Sequence, residues 1–177
     1  SNGGGSTMAF GSGNKADYTL RSALMGVNNT LTGSKGNEST NAMLTGFHNT
    51  ADKVFNTTVI GSENTVTNSK NSLVMGDNRE VKDANHAVLI GSTDSKTTTS
   101  VNNAVAVGHN TNVTVEGGVA LGSESKSTVA AGAVGYDPST KAQSTNTDST
   151  WKATKSAISV GDADNNITRQ ITSVAAG

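Results

Sequence analysis

The sequence predicts an all-β chain wound as a parallel β-solenoid, and three observations predict it. A short apolar strand ending in glycine recurs, reading MAFG, ALMG, MLTG, TVIG, LVMG, VLIG, VAVG, VALG, GAVG and ISVG. The glycines, Gly11, Gly26, Gly46, Gly61, Gly76, Gly91, Gly108, Gly122, Gly135 and Gly161, are separated by steps of 15, 20, 15, 15, 15, 17, 14, 13 and 26 residues. That period is too short for a helical hairpin repeat, which takes about 33 residues or more. It fits one coil of ~14–15 residues, too small to bury a core alone, so neighbouring coils must stack. The composition agrees: 33% of residues are hydrophobic and only 3% aromatic. A thin column of small aliphatic side chains needs no more.

A length of 177 residues suits one domain. Charged residues make up 15% and the net charge is −1. This balance leaves no basic footprint for nucleic acid and no patch for direct membrane contact. The chain has no cysteine, which excludes disulfides and thiolate metal ligands. It holds no apolar run of the length a spanning helix takes, about 18 residues. The opening Ser1-Asn2-Gly3-Gly4-Gly5-Ser6 reads as a flexible lead-in over residues 1–7, at the start of a piece of something larger.

Each position of the repeat has its own texture. At minus one from the glycine stand Phe10, Met25, Thr45, Ile60, Met75, Ile90, Val107, Leu121, Val134 and Val160. Thr45 is the one polar member. At minus two stand Ala9, Leu24, Leu44, Val59, Val74, Leu89, Ala106, Ala120, Ala133 and Ser159. Minus three holds Met8, Ala23, Met43, Thr58, Leu73, Val88, Val105, Val119, Gly132 and Ile158. Alternate residues of a strand face opposite sides, so minus one and minus three share a face and minus two points the other way. Both faces are apolar, and a strand that is apolar on both faces is buried on both. One set fills the coil. The other needs a partner, and self-association along that wall supplies it. Sequence leaves open which set takes which place.

The glycine ends the strand at a turn suited to positive φ. Three residues on come Asn14, Asn29, Asn49, Asn64 and Asp94, read here as left-handed turn residues. Five residues before the glycine stand Asn41, Asn56, Asn71 and Asn103, which in register form amide ladders. The polar second half of each repeat, with Leu31, Val54, Val66, Val81, Val113 and Val115, reads as a second strand with one residue turned inward. The steps of 20 and 17 place enlarged turns near residues 31–41 and 93–103.

After Gly135 the repeat breaks at Tyr136-Asp137-Pro138, and a polar stretch carries the sole tryptophan, Trp151. That residue reads as a cover for the lower end of the solenoid or for a neighbouring chain, with a contact anchor as the second reading. The strand returns at Ala157-Ile158-Ser159-Val160-Gly161, and the closing Ile167, Ile171, Val174 spacing suits a chain entering a helix or coiled coil.

These residues resemble the head of trimeric autotransporter adhesins, the left-handed parallel β-roll of YadA-like type. Ile167-Thr168-Arg169-Gln170-Ile171-Thr172-Ser173-Val174-Ala175-Ala176-Gly177 resembles that family's neck, and the segment from Gly135 through Trp151 to Gly161-Asp162-Ala163 resembles a long-neck variant with an insertion. The resemblance divides the chain into head repeats over 8–136, a neck insertion over 137–157 and a neck over 158–177. It implies a parallel homotrimer joined to a coiled-coil stalk. It places the molecule outside the cell, on a bacterial surface, held to the outer membrane by a C-terminal barrel this chain lacks. It implies multivalent attachment to host cells, extracellular matrix or other bacteria, without fixing the receptor or its contact residues. A spacer within the same fibre is the alternative. A monomeric β-solenoid binder or transferase is a remoter one, since the transferases use coils of about 18 residues.

No catalytic or cofactor site emerges, and the chain reads as no enzyme. His48, His86 and His109 share no column and read as solvent-exposed. Asp162-Ala163-Asp164-Asn165-Asn166 begins like a calcium loop, but Ile167 stands where glycine belongs and Ser173 where the closing Glu belongs. No Gly-x-Ser-x-Gly elbow occurs. The sequons at Asn28, Asn37, Asn56, Asn112 and Asn166 read as by-products of turn asparagines followed by strand threonines.

Overall fold

The computed structural model describes residues 5–175. It is a parallel β-solenoid with almost no helix. The apolar repeats stack into one ten-stranded sheet, running from Met8–Ser12 through Ala23–Val27, Ser39–Phe47, Phe55–Ser62, Leu73–Asp77, Val88–Ile90, Val105–Val107 and Val119–Leu121 to Ile158–Ser159, with the short strand Thr19–Leu20 paired beside Ser39–Phe47. Register follows the glycines: Leu24 lies beside Leu44, Val59 beside Val74, and Gly61 beside Gly76. The polar half-repeats form a second, six-stranded parallel sheet from Lys15–Asp17 to Thr97–Thr99. Two-residue strands at Asn112–Val113 and Lys126–Ser127 continue its line.

Three corners join these walls, and each uses the left-handed backbone region. One falls two residues after the glycine, at Asn28, His48, Glu63, Asn78, Asn110 and Glu124. A second falls seven after, at Tyr18, Lys53, Asn68 and Asp83, and a third five before, at Arg21, Asn41, Asn56, Asn71, His86 and Asn103. The asparagines three residues after the glycine are therefore not the turn residues that the sequence suggested. The corner comes one residue earlier because their side chains are drawn inward, as described below.

The minus-two column fills the coil: Leu24, Leu44, Val59, Val74, Leu89, Ala106 and Ala120 are wholly buried. Leu31, Val54, Val66, Val81 and Val113 meet them from the other walls, while Val115 is half-buried. Each coil contributes only a few aliphatic groups, and the core becomes continuous only through stacking. Of the two expected enlarged turns, that at 31–41 is a small hairpin closed by Ser34 and Asn37, whose backbone groups exchange bonds of 3.1 and 2.9 Å, while that at 93–103 contains the Thr97–Thr99 strand.

Two expectations need correction. Val134 and Gly135 do not form a coil of the solenoid. The strand after Val119–Leu121 is Ile158–Ser159, with Val119 beside Ile158 and Ala120 beside Ser159. Val134 instead bridges antiparallel to Lys152, and Gly135 N–H donates to the Trp151 carbonyl at 2.7 Å. Pro138 stands at the third position after the glycine, where Asn29, Asn49, Asn64 and Arg79 each donate a backbone N–H to the coil above, and proline has none to give. The chain leaves the solenoid as a hairpin, with Tyr136–Asp137 paired to Ala142–Gln143, and rejoins where Ala157 N–H donates to the Val129 carbonyl. The second correction concerns the lead-in. Gly5 already stacks on the next coil, donating to the Thr19 carbonyl at 2.9 Å, so residues 5–7 belong to the solenoid.

Candidate functional site

The strand-end glycines form a column in which a side chain has no room. A Cβ built on Gly11, Gly46 or Gly61 would lie 1.8–1.9 Å from the carbonyl oxygen of the next coil's glycine. Their φ of 119–131° is one that other residues avoid. Gly26, Gly76, Gly91 and Gly108 share the geometry. Gly122 ends the column with φ 92°, and no glycine carbonyl lies below it; the Arg169 guanidinium does, 3.0 Å from a built Cβ. Neither Gly135 nor Gly161 has a left-handed φ. At Gly161 the limit is instead the Ile167 carbonyl, 2.0 Å from a built Cβ.

Beside the glycines runs a buried polar column where the sequence predicts turns. Asn29 and Asn49 each donate from Nδ2 to the next coil's glycine carbonyl, at 2.9 and 2.7 Å, and to the Oδ1 of the asparagine above at 3.1 and 3.0 Å. Asn64 continues to the Gly76 carbonyl at 2.7 Å. At the next coil Arg79 replaces the amide. It is wholly buried, and its Nε donates to the Gly91 carbonyl at 2.8 Å. Its two Nη groups reach one coil further, to the carbonyls of Thr111 and Gly108 and to Thr111 Oγ1. Among the described residues no carboxylate meets this guanidinium, and burial pushes its pKa down to about 10. The signal for Arg79, Thr111 and Ser125 was in the sequence, three residues after Gly76, Gly108 and Gly122. The change of residue type hid it.

Of the exposed ladder expected five residues before the glycine, the Asn41–Asn56–Asn71 part is present, while His86 follows Asn71 in the column and Asn103 is not joined to it by an amide bond. Asn41 donates to Asn56 at 2.8 Å, Asn56 to Asn71 at 3.1 Å, and Arg21 Nε caps the top on Asn41 Oδ1 at 3.0 Å.

The opposite face of the main sheet carries an exposed apolar stripe. Minus-one residues Phe10, Met25, Met75, Val107 and Leu121 are exposed, and Ile60 and Ile90 are half-exposed between them. Met8 and Met43 are exposed at minus three, beside half-exposed Leu73, Val88, Val105 and Val119. Eight coils at about 4.8 Å make this stripe about 34 Å long. Single exposed apolar residues are ordinary; a contiguous stripe, here interrupted by half-buried Thr45 and Thr58, is the kind of surface that marks a contact.

The lower end is closed by a charged clasp. Asp162, almost wholly buried, accepts from Lys126 Nζ at 2.8 Å and from Asn165 Nδ2 at 2.7 Å. The lysine hydrogen bond, ahead of Asn165, holds the Asp162 carboxyl below its ordinary value, and the same bond raises Lys126. The Asp-rich segment is thus a capped single turn over Ala163–Asn165. Of the neck residues, Ile167 bridges back to Asp162, and Arg169 donates to the carbonyls of Val160 and Ser123 at 2.6 and 2.7 Å. Thr168, Gln170, Ile171, Thr172 and Val174 are exposed, and Gly177 lies outside the described residues. Trp151 packs within the insertion over Gly135. His48, His86 and His109 are exposed on separate coils, with His48 paired to Glu63 and His109 to Asp94. Among the described residues no cluster of His, Cys, Asp or Glu could hold a metal ion. No family model matches the chain, and no curated protein matches it.

Proposed function

We propose that the chain is the head segment of a trimeric bacterial surface adhesin, three copies packing in parallel around an axis along their exposed stripes. The observation that carries this reading is the two-sided apolar strand. The minus-two side is spent on the coil core, and the minus-one and minus-three side is left open over the whole stack. Parallel copies with matched coil heights bring identical apolar levels together, which buries the stripe without any new element. The polar outer walls then face outward in three copies, and many weak contacts to a host-cell, matrix or bacterial surface add up through avidity. On this reading the molecule works outside the cell, at the end of a fibre, and carries no chemistry of its own.

The test is the solution mass across a concentration series by light scattering. A mass of three chains is expected, and one chain throughout overturns the reading. Two variants on adjacent residues sharpen it. Leu89→Asp puts a charge in the coil core and abolishes the β-sheet circular dichroism. Ile90→Asp, on the open face, keeps that signal and yields single chains. Wild-type trimers of Ile90→Asp would place the contact elsewhere. Trimers are then tested for binding to matrix proteins and epithelial cells.

A further inference from the structure

We infer that the insertion hairpin forms the outer wall of a groove that takes the neighbouring copy's Leu121 and Val107, so that it acts as an intersubunit clasp. The inference rests on the trimer reading above. A cleft of about 630 Å³ opens where the hairpin leaves the solenoid. It is lined by Val105 and Val119, the minus-three edge of the open face at its lowest coils, by Ala130, Ala131 and Thr154–Ser156 on the hairpin side, and at its polar end by Asn103 and Glu116. The wall is built in and fixed. Ser156 Oγ donates to the Glu116 carbonyl at 2.6 Å, and Val119 N–H donates to the Ala157 carbonyl at 3.2 Å.

Symmetry selects the occupant. The strands of the open face run across the stacking direction, from the minus-three edge to the minus-one edge. Around a threefold axis parallel to the stack, every copy runs in the same rotational sense. The minus-one edge of one copy therefore abuts the minus-three edge of the next, at the same height. The residues at the height of Val105 and Val119 on that edge are the partner's Val107 and the partner's Leu121. On a single chain these two are 37% and 38% exposed, apolar, and of a size to enter a cleft lined on this side by valines. The small side chains of Ala130 and Ala131 leave the room they need. Without the hairpin this edge would lie open to water; with it the apolar contact is covered on its outer side.

The absence of native cysteine makes a cross-linking test clean. Ala131→Cys combined with Leu121→Cys, treated with a short bis-maleimide, is expected to give covalent dimers and trimers on a denaturing gel. Each single-cysteine variant, and the pair Ala131→Cys with Phe10→Cys at the opposite end of the stack, is expected to stay as single chains. Circular dichroism of every variant checks that it folds. A wild-type mass of three chains with no cross-link between positions 131 and 121 overturns the clasp and leaves the trimer standing. A wild-type mass of one chain overturns both. A second readout avoids the reagent: Ala131→Glu is expected to raise the concentration at which trimers dissociate at least tenfold, and an unchanged value counts against the groove.

Discussion

The upper and lower halves of the solenoid solve one problem in two ways. From Gly11 to Gly76 every coil carries at its third position an asparagine, or at the last the arginine that follows them, and coils are 15 or 20 residues long. Each asparagine serves one interval between coils. Below Gly91 the third positions hold Asp94, Thr111 and Ser125, and the steps are 17 and 14. There Arg79 reaches down past two coils, Thr111 Oγ1 donates to the Gly108 carbonyl at 2.9 Å, and Ser125 Oγ to the Leu121 carbonyl at 2.7 Å. Arg169 closes the bottom in the same manner. What is common is the demand and not the residue: strand-end carbonyls lose their water inside the stack and must find donors. Among the described residues every buried side-chain nitrogen and oxygen has a partner. A long cation tolerates uneven coil length because it does not need the next coil to supply a matching amide.

The glycine column separates the stack from the insertion most sharply. Gly61→Ala forces a Cβ to 1.8 Å from the Gly76 carbonyl at a φ of 131°. A destabilisation of at least about 4 kcal/mol is expected from the denaturant midpoint. Gly135→Ala meets nothing closer than 3.5 Å and should stay within about 0.5 kcal/mol of wild type. Equal effects would mean that Gly135 also sits in the stack. Arg79→Met comes next. It leaves the carbonyls of Gly91, Gly108 and Thr111 short of a donor and should cost about 2–4 kcal/mol. Urea-unfolding curves that overlay wild type would show that water enters and replaces the guanidinium.

The same contrast explains what could be read from sequence. The glycine spacing and the apolar run carried the solenoid, its register and both faces, because they repeat in the residues themselves. The exposed Asn41–Asn56–Asn71 ladder was legible for the same reason. The buried column was half legible. Asn29, Asn49 and Asn64 stood out, but asparagine has two physical uses, left-handed turns and inward amides, and spacing does not separate them. Arg79 was hidden because buried arginine without a carboxylate breaks the usual pattern. The insertion misled because GAVG matches the strand motif in its four residues, while Pro138, three residues past the glycine, lacks the N–H that Asn29, Asn49, Asn64 and Arg79 donate there. The open face was legible as apolar, and only the fold itself shows that the minus-two column takes the interior.

Two asparagine substitutions sharpen the comparison at smaller scale. Asn49→Ala removes buried donors to the Gly61 and Thr45 carbonyls and the acceptor for Asn64, and should cost about 2 kcal/mol. Asn56→Gly keeps the left-handed backbone and loses only exposed amide bonds to Asn41 and Asn71, so about 0.5 kcal/mol is expected. A larger loss at Asn56 than at Asn49 would show that the outer ladder, and not the inner, holds the coils in register.

The smallest effect belongs to the clasp at the lower end, and pH isolates it. Asp162 has a folded pKa below its ordinary 3.8, so its contribution is present above that value and is lost as pH falls through the folded pKa. Lys126 has a folded pKa above its ordinary 10.5, so its share is present below that value and is lost as pH rises through the folded one. The pair thus contributes a flat plateau of stability between these limits. Asp162→Asn keeps the shape of the cap and removes the carboxylate. Its melting temperature should lie slightly below wild type on the plateau and converge with it as pH falls through the folded pKa of Asp162. A constant gap at all pH values would assign the role of Asp162 to packing alone. The upper half offers a parallel in Asp77, held low first by Ser62 and then by Ser92, with no cation against it. Asp77→Asn should therefore narrow its gap to wild type on acidification, as Asp162→Asn does, yet show no counterpart to the alkaline loss that Lys126 brings to the lower end.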